Sequence, residues 1–186
     1  FPGTAVLVSG MSGTGKTTLA LQVVHHAIQS DDRVLYYSFE EPVHDLLKTA
    51  TGFGWNLQSA IDTEQLRMLH IPQTEIRVEQ DLHRIEQDIR RVQPRWVIVD
   101  SFSVFLHRID QPAQYRKKMY QMKHLLQTSQ STGLLISDIP ANAPGQLSRM
   151  GVEETVADGT IVLSSELEEH KRRRYLEVYK MRRTEH

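Results

Sequence analysis

The chain contains no cysteine among its 186 residues. A disulfide framework and a metal site built from thiolates are therefore excluded. No apolar run approaches the roughly 18 residues that a membrane-spanning helix needs. The net charge of −1 disfavours a protein whose whole surface binds nucleic acid. We therefore expect a cytoplasmic protein that contacts no membrane and does not act on nucleic acid.

Residues 1–186 are predicted to form one domain. A hydrophobic content of 39% is enough for a single core, and no change in composition marks a boundary. The chain starts at Phe1-Pro2-Gly3 without a methionine and stops just after a basic segment. We expect a domain excised from a longer protein, and a parent with two such domains is one option.

Strand-like and helix-like segments alternate along the chain, which is typical of an α/β fold. We expect a mostly parallel, twisted sheet with helices on both faces. Residues 168–172 join the last two strands and are too few for a crossover helix, so these strands should form an antiparallel hairpin. Strands are predicted near residues 4–9, 33–39, 66–71, 95–100, 133–139, 159–164 and 174–181, and helices near 16–30, 42–53, 75–93 and 112–131.

Residues 10–17 read Gly-Met-Ser-Gly-Thr-Gly-Lys-Thr and match the phosphate-binding pattern G-x-x-x-x-G-K-[ST] at every fixed position. An apolar run precedes this loop and an amphipathic stretch follows it, which disfavours a mere glycine-rich turn. Backbone N–H groups and a helix N-terminus can then face a triphosphate. Lys16 should pair with the β- and γ-phosphates, and Thr17 should offer its hydroxyl to Mg²⁺. The predicted nucleotide contacts are Ser12, Gly13, Thr14, Gly15, Lys16, Thr17 and Thr18.

The second predicted element of the site is acidic: Asp100 directly follows the apolar strand Trp96-Val97-Ile98-Val99. In open α/β sheets, ligands bind at the carboxyl ends of the strands, so Asp100 should lie beside the phosphate loop. There it would hold Mg²⁺, directly or through a water molecule. The alternative is an aspartate that merely opens a turn.

Hydrolysis also needs a group that orients or deprotonates the attacking water. Glu40 and Glu41 follow another predicted strand and should reach the same edge of the sheet. We predict Glu40, ahead of Glu41, as the catalytic base. The alternative is that both acids sit before Pro42 only because a helix N-terminus favours negative charge.

Several short segments together resemble the KaiC-like branch of the RecA superfamily, in order and spacing, over nearly the whole chain. The resemblance implies a RecA-like P-loop NTPase fold and a ring-forming ATPase, usually hexameric, with ATP and Mg²⁺ bound between subunits. The segments are the phosphate loop, Phe39-Glu40-Glu41, Phe53-Gly54-Trp55, Val99-Asp100-Ser101, Gly151-Val152-Glu153-Glu154, Ala157-Asp158-Gly159 and Lys180-Met181-Arg182.

The same resemblance gives the basic C-terminal segment a role. Lys180 and Arg182 correspond to residues that reach the triphosphate of the neighbouring subunit, and His186 matches a further contact residue. A positive group supplied in trans is worth on the order of 10³ to 10⁵ in rate. The alternative is that these charges are simply solvated. Arg183 stands where relatives usually have glycine.

Two further departures bear on the reaction. Glu154-Thr155 replaces the Ser-Thr pair that accepts phosphate in the autokinase domain of the clock protein, which favours hydrolysis and leaves Thr155 as a lone acceptor. Ser137-Asp138 stands where related domains often carry a threonine or asparagine that senses the γ-phosphate. Our prediction is Mg²⁺-dependent ATP hydrolysis in a ring that has an unidentified protein partner. The alternatives are a nucleotide-gated signalling or assembly module, a serine/threonine autokinase, and a RadA-like DNA-handling ATPase.

Overall fold

The protein is described by a computed structural model that covers residues 2–141 and 145–184. Its centre is a seven-stranded sheet in the order β3-β2-β4-β5-β1-β6-β7. Six strands are parallel, and β7 runs antiparallel to β6. The strands are β1 (Ala5–Gly10), β2 (Val34–Ser38), β3 (Leu66–His70), β4 (Trp96–Asp100), β5 (Thr132–Asp138), β6 (Gly159–Glu168) and β7 (Lys171–Met181).

Helices connect the parallel strands. All seven predicted strands and all four predicted helices are present, and the α/β fold of the RecA type is confirmed. Three short helices were not predicted, because four or five residues are too few for a 3.6-residue periodicity to show. The helices are α1 (Lys16–Gln29), α2 (Val43–Gly52), α3 (Gln58–Asp62), α4 (Val78–Val92), α5 (Phe102–Phe105), α6 (Pro112–Ser129) and α7 (Glu153–Val156), with a 3₁₀ turn at Gln73–Glu75.

The sheet separates two hydrophobic clusters, because successive strand residues point to opposite faces. Strand residues such as Leu35 and Val97 pack with α4 and α6 on one face. Tyr36 and Ile98, one position further along, pack with α1 and α2 on the other. The predicted cover of helices on both faces is therefore present, and it explains why β2 and β4 are almost continuously apolar.

The C-terminal hairpin was predicted correctly as antiparallel, but its strands are longer than expected. Its turn consists of Glu169 and His170 alone, whose φ angles of 43° and 69° are typical of a type I′ turn. Most of β7 is solvent-exposed, including Leu176 and Tyr179. The hairpin therefore extends beyond the part of the sheet that the helices cover.

Within the two described ranges, no helix has both the length and the apolar character that crossing a bilayer requires.

Candidate active site

Four parallel strands bring their carboxyl ends to one edge of the sheet. Gly10 at the end of β1 lies level with Asp138 at the end of β5. Ser38 at the end of β2 lies level with Asp100 at the end of β4. The phosphate loop, the Glu40-Glu41 pair and Asp100 are therefore placed at the same edge, as the sequence predicted.

The loop after β1 curls tightly where it leaves the strand. A Cβ atom on Gly10 would lie 2.5 Å from the carbonyl oxygen of Leu163, so β6 leaves no room for a side chain there. Gly13 and Gly15 have φ angles of 79° and 102°, in the left-handed region that favours glycine. The hydroxyl of Thr14 donates to the carbonyl of Met11 at 2.8 Å and closes the curl.

Helix α1 begins directly at the end of this loop. Gly15 occupies the N-cap position, and in the described part of the chain no side chain caps this helix and no acidic residue lies in its first turn. The first N–H groups of a helix have no partner within the helix, and the helix dipole adds positive potential. The N-terminus of α1 is therefore suited to bind an anion that sits in the loop.

Lys16 carries the positive charge of the loop and is only 7% exposed. Its ammonium donates to the carbonyls of Gly10 at 2.9 Å and Met11 at 3.0 Å. It also forms an ion pair with Asp138, with 2.9 Å between Nζ and Oδ1. The ammonium therefore lies inside the curl of the loop, where phosphate oxygens would be bound.

Asp100 lies beside Thr17 and is 4% exposed. Burial raises the pKa of Asp100, and hydrogen bonds from Tyr36 and Thr17 oppose that rise. The charge of Glu41 raises this pKa further, whereas Lys16 lowers it. The Asp100-Ser101 peptide bond is cis.

The donor set suits Mg²⁺ held jointly with a nucleotide. A carboxylate and a hydroxyl are hard oxygen ligands, and Mg²⁺ commonly takes only one or two protein ligands besides phosphate oxygens and waters. Among the residues that the structure describes, no group of three or more His, Cys, Asp and Glu side chains is arranged to hold a metal by itself. Thr17 and Asp100 together therefore fit a Mg²⁺ ion that arrives with a triphosphate.

Glu40 reaches the site through its carboxylate, although the residue as a whole is exposed. Its Oε1 accepts a hydrogen bond from the hydroxyl of Ser101 at 2.8 Å. Partial burial of the carboxylate raises the pKa of Glu40, the Ser101 bond lowers it, and the nearby charges of Asp138 and Asp100 raise it again. Glu41 is held through its backbone instead: its carbonyl accepts a hydrogen bond from the Ser38 hydroxyl, and its N–H donates one to the same hydroxyl.

A hydrogen-bonded connection runs from Glu40 towards Lys16 and was not predicted from the sequence. The hydroxyls of Ser101 and Ser103 lie 3.2 Å apart. Ser103 donates to Asp138 Oδ2 at 3.4 Å and accepts from the Asp138 backbone N–H at 3.0 Å. The only sequence signal was the serines that follow Asp100, together with Asp138 at the end of a predicted strand.

Lys180 and Arg182 do not approach the loop of their own chain. Lys180 lies opposite Thr160, near the amino-terminal end of β6, whereas Gly10 is level with Leu163. The Lys180 ammonium donates to the carbonyls of Glu154 and Ala157, the latter at 2.7 Å. Burial, Arg182 and Lys123 lower the pKa of Lys180.

Arg182 and Thr155 also have hydrogen-bond partners outside the phosphate loop. The Arg182 side chain is exposed, while its backbone N–H donates to Asp158 at 2.9 Å. Thr155 lies on α7, just before β6, and its hydroxyl accepts a 2.8 Å hydrogen bond from Arg116. His186 lies outside the described residues.

Comparison with known proteins agrees with this geometry. The family model described as "ATPase: KaiC" matches residues 1–186. A circadian clock oscillator protein KaiC from Picosynechococcus sp. is 35% identical over 197 residues, which cover 99% of this chain and 37% of that protein. The KaiC protein of Acaryochloris marina is 34% identical, with 99% and 37% coverage. KaiC 1 from Synechocystis sp. is 33% identical, with the same coverage. The chain thus spans little more than a third of the length of these relatives.

Proposed function

Because the chain belongs to the KaiC ATPase family, we propose that it binds Mg²⁺·ATP at the loop after β1 and hydrolyses it. The observation that carries this proposal is the position of Lys16. Its buried ammonium lies inside the loop, at the same edge as Asp100 and Glu40. A positive group, a helix N-terminus and two separate carboxylates are the parts that phosphoryl transfer to water requires.

Binding is assigned to the loop and to the start of α1. Lys16 and the N–H groups between Gly13 and Thr17 would hold the β- and γ-phosphates, with Ser12, Thr14 and Thr18 as further contacts. Thr17 and Asp100 would hold Mg²⁺, which neutralises charge on the phosphate oxygens when it is bound.

The chemical step is assigned to Glu40. Water attacks the γ-phosphorus, the bond to the bridging oxygen of ADP breaks, and the proton lost by the water goes to Glu40. A base works best when its pKa approaches the working pH, and burial with neighbouring carboxylates raises the pKa of Glu40 in that direction. The Ser101 hydroxyl fixes one carboxylate oxygen, so the other oxygen is available to the water.

We further propose that the chain assembles into a ring in which Lys180 and Arg182 serve the nucleotide site of a neighbouring subunit. Lys180 lies near the amino-terminal end of β6, away from the edge of the sheet that carries the loop, and Arg182 follows shortly after it. This position supports action in trans over action on the loop of the same chain. A hexamer is the size that the family resemblance implies.

The test is to measure ATP binding and phosphate release for the chain and two variants. Lys16→Ala should lose ATP binding, because no other side chain in the loop compensates the triphosphate charge. Glu40→Gln should keep ATP binding and lose about 10² to 10⁴ in turnover, because an amide cannot accept the proton.

Matched controls are available at exposed positions away from the site. Lys48→Ala removes a lysine charge from α2, and Glu64→Gln neutralises a glutamate beside β3. Both should behave as the parent chain. Unchanged ATP affinity in Lys16→Ala would refute the nucleotide site, and unchanged turnover in Glu40→Gln would refute the assignment of the base.

A further inference from the structure

The ammonium of Lys16 already has a partner for each of its protons. A lysine ammonium has three N–H donors. Two of its partners are the carbonyls of Gly10 and Met11, and the third is the carboxylate of Asp138. A phosphate oxygen can therefore accept a hydrogen bond from this ammonium only by replacing one of its three partners.

Asp138 is the partner that a phosphate would replace. The two carbonyls belong to the loop backbone and define its curl, whereas Asp138 contributes a side chain that is 35% exposed. A carboxylate oxygen and a phosphate oxygen are both anionic acceptors, so they compete for the same donor.

The position of this carboxylate is set by the sheet. Asp138 is the last residue of β5 and pairs with Gly10 at the end of β1. Ser103 bonds both its backbone N–H and its Oδ2 atom. The carboxylate is therefore held in front of Lys16 by two strands and a buried serine.

From these contacts we propose that Asp138 is an internal competitor for Lys16, so that the triphosphate must displace its carboxylate to bind. Asp138 acts on the nucleotide through Lys16 and is a positioning residue. The proposal rests on the function assigned above to the same loop. The proposal predicts that ATP binds more weakly to this chain than to the same loop without the Asp138 carboxylate. The reason is that displacement leaves this carboxylate beside the triphosphate without its counter-charge.

The experiment compares ATP and AMP binding to the parent chain, Asp138→Asn and Asp138→Thr by calorimetry at low ionic strength without Mg²⁺. Both variants remove the carboxylate, and threonine also suits a strand position. ATP should bind about tenfold or more tightly to each variant, since one close like charge is removed. AMP affinity should stay unchanged, because AMP lacks the β- and γ-phosphates that reach Lys16.

Asp62→Asn is the matched control. It makes the same change in net charge on exposed helix α3, where the Asp62 carboxylate contacts Gln58, and it should leave ATP affinity unchanged. A merely structural role of Asp138 would weaken binding on substitution, the opposite of the expected gain.

The outcomes separate this proposal from the proposed function. If the parent binds ATP, Lys16→Ala does not, and both Asp138 variants match the parent or bind more weakly, the competitor is refuted while the nucleotide site stands. An equal gain for AMP and ATP would also refute the competitor. If the parent and both variants fail to bind ATP while remaining folded by circular dichroism, both proposals fail.

Discussion

The hydroxyl of Tyr36 donates a 2.6 Å hydrogen bond to Asp100 Oδ2, and both residues are buried. The next residue of β2, Tyr37, donates in the same way to Asp88. Because neighbouring strand residues face opposite sides of a sheet, the two tyrosine–aspartate pairs lie on different faces. Only the Tyr36 pair involves the carboxylate assigned to Mg²⁺.

We predict that Tyr36→Phe lowers the free energy of unfolding by about 1–3 kcal/mol, because it leaves a buried carboxylate with one partner fewer. The Tyr36 bond also lowers the pKa of Asp100. Its loss should therefore raise that pKa further, and ATP hydrolysis should need more Mg²⁺ at a given pH. Urea denaturation measures the first effect, and a Mg²⁺ titration of phosphate release measures the second.

Tyr37→Phe provides the matched control for this experiment. It deletes the same hydroxyl from the adjacent residue and should also reduce stability, yet it should leave the Mg²⁺ requirement unchanged. Equal Mg²⁺ requirements in the two variants would contradict the link between Tyr36 and the metal site.

The hydrogen bond from Ser101 to Glu40 leads to a prediction about pH. This bond stabilises the ionised carboxylate and lowers the pKa of Glu40, against the larger effect of burial, which raises it. In Ser101→Ala the pKa of Glu40 should rise, so the ionised base is lost at higher pH. The acid limb of the profile of kcat against pH should therefore move to higher pH.

A double variant separates this effect from a general loss of structure. Ser101 also caps α5 through the backbone N–H of Val104, so Ser101→Ala is expected to lose about 0.5–2 kcal/mol of stability as well. In a Glu40→Gln background no ionisable base remains, and Ser101→Ala should produce no further shift of the limb. A persistent shift there would assign the titration to another group.

Much of the fold and part of the site were accessible from local sequence signals. Strands β2 and β4 are buried on both faces and so appear as short apolar runs. The phosphate loop is contiguous, so its pattern needs no knowledge of the fold. Glu40 and Asp100 could be placed because each directly follows a predicted strand. The catalytic roles of these residues remain predictions.

The remaining contacts depend on strand order, which one sequence does not give. The approach of Asp138 to Lys16 requires β5 to lie beside β1, although the two strands are more than 120 residues apart in the chain. The Lys180 ammonium binds the carbonyls of Glu154 in α7 and of Ala157 directly after it, and this requires a helix too short to be recognised from the sequence. Hydrophobic periodicity identifies elements, but pairing between distant strands is decided by tertiary packing.

Glu153 leads to a prediction about stability. It is 0% exposed and has no lysine or arginine partner among the described residues. Hydroxyls of Tyr115 at 3.0 Å and Ser148 at 2.7 Å donate to it, as does the backbone N–H of Met150 at 3.2 Å. Glu153→Gln should lower the free energy of unfolding by about 1–3 kcal/mol, because an amide N–H₂ then faces groups that need an acceptor.

The neighbouring Glu154 is the control for this change. Its carboxylate accepts a hydrogen bond from Ser148 but is less buried than that of Glu153. Glu154→Gln should therefore have a clearly smaller effect on the urea midpoint. Equal effects of the two variants would mean that the hydrogen bonds donated to Glu153 contribute little to the free energy of unfolding.

The proposed role of the C-terminal segment in trans is best tested at Arg182. The Lys180 ammonium bonds carbonyls of its own chain, so Lys180→Ala would alter the fold and the charge together. The Arg182 side chain is exposed and only its backbone is used, so Arg182→Ala should preserve the fold. We predict that this variant binds ATP normally and loses about 10³-fold or more of its turnover, measured by phosphate release from assembled rings.

Mixing variants distinguishes action in trans from the alternatives. In a ring of Arg182→Ala and Lys16→Ala subunits, some interfaces join an intact loop to an intact Arg182, so part of the activity should return. A group acting on its own chain's loop would give a defect that mixing cannot repair. A solvated charge would give no defect in Arg182→Ala. Arg174→Ala is the control, because Arg174 is an exposed residue of β7, the strand that ends just before Arg182. It should keep full turnover, since the loss of a positive charge elsewhere on the hairpin should not affect hydrolysis. Rings must be confirmed by light scattering in each mixture, since restored turnover without assembly would contradict a role that depends on a neighbouring subunit.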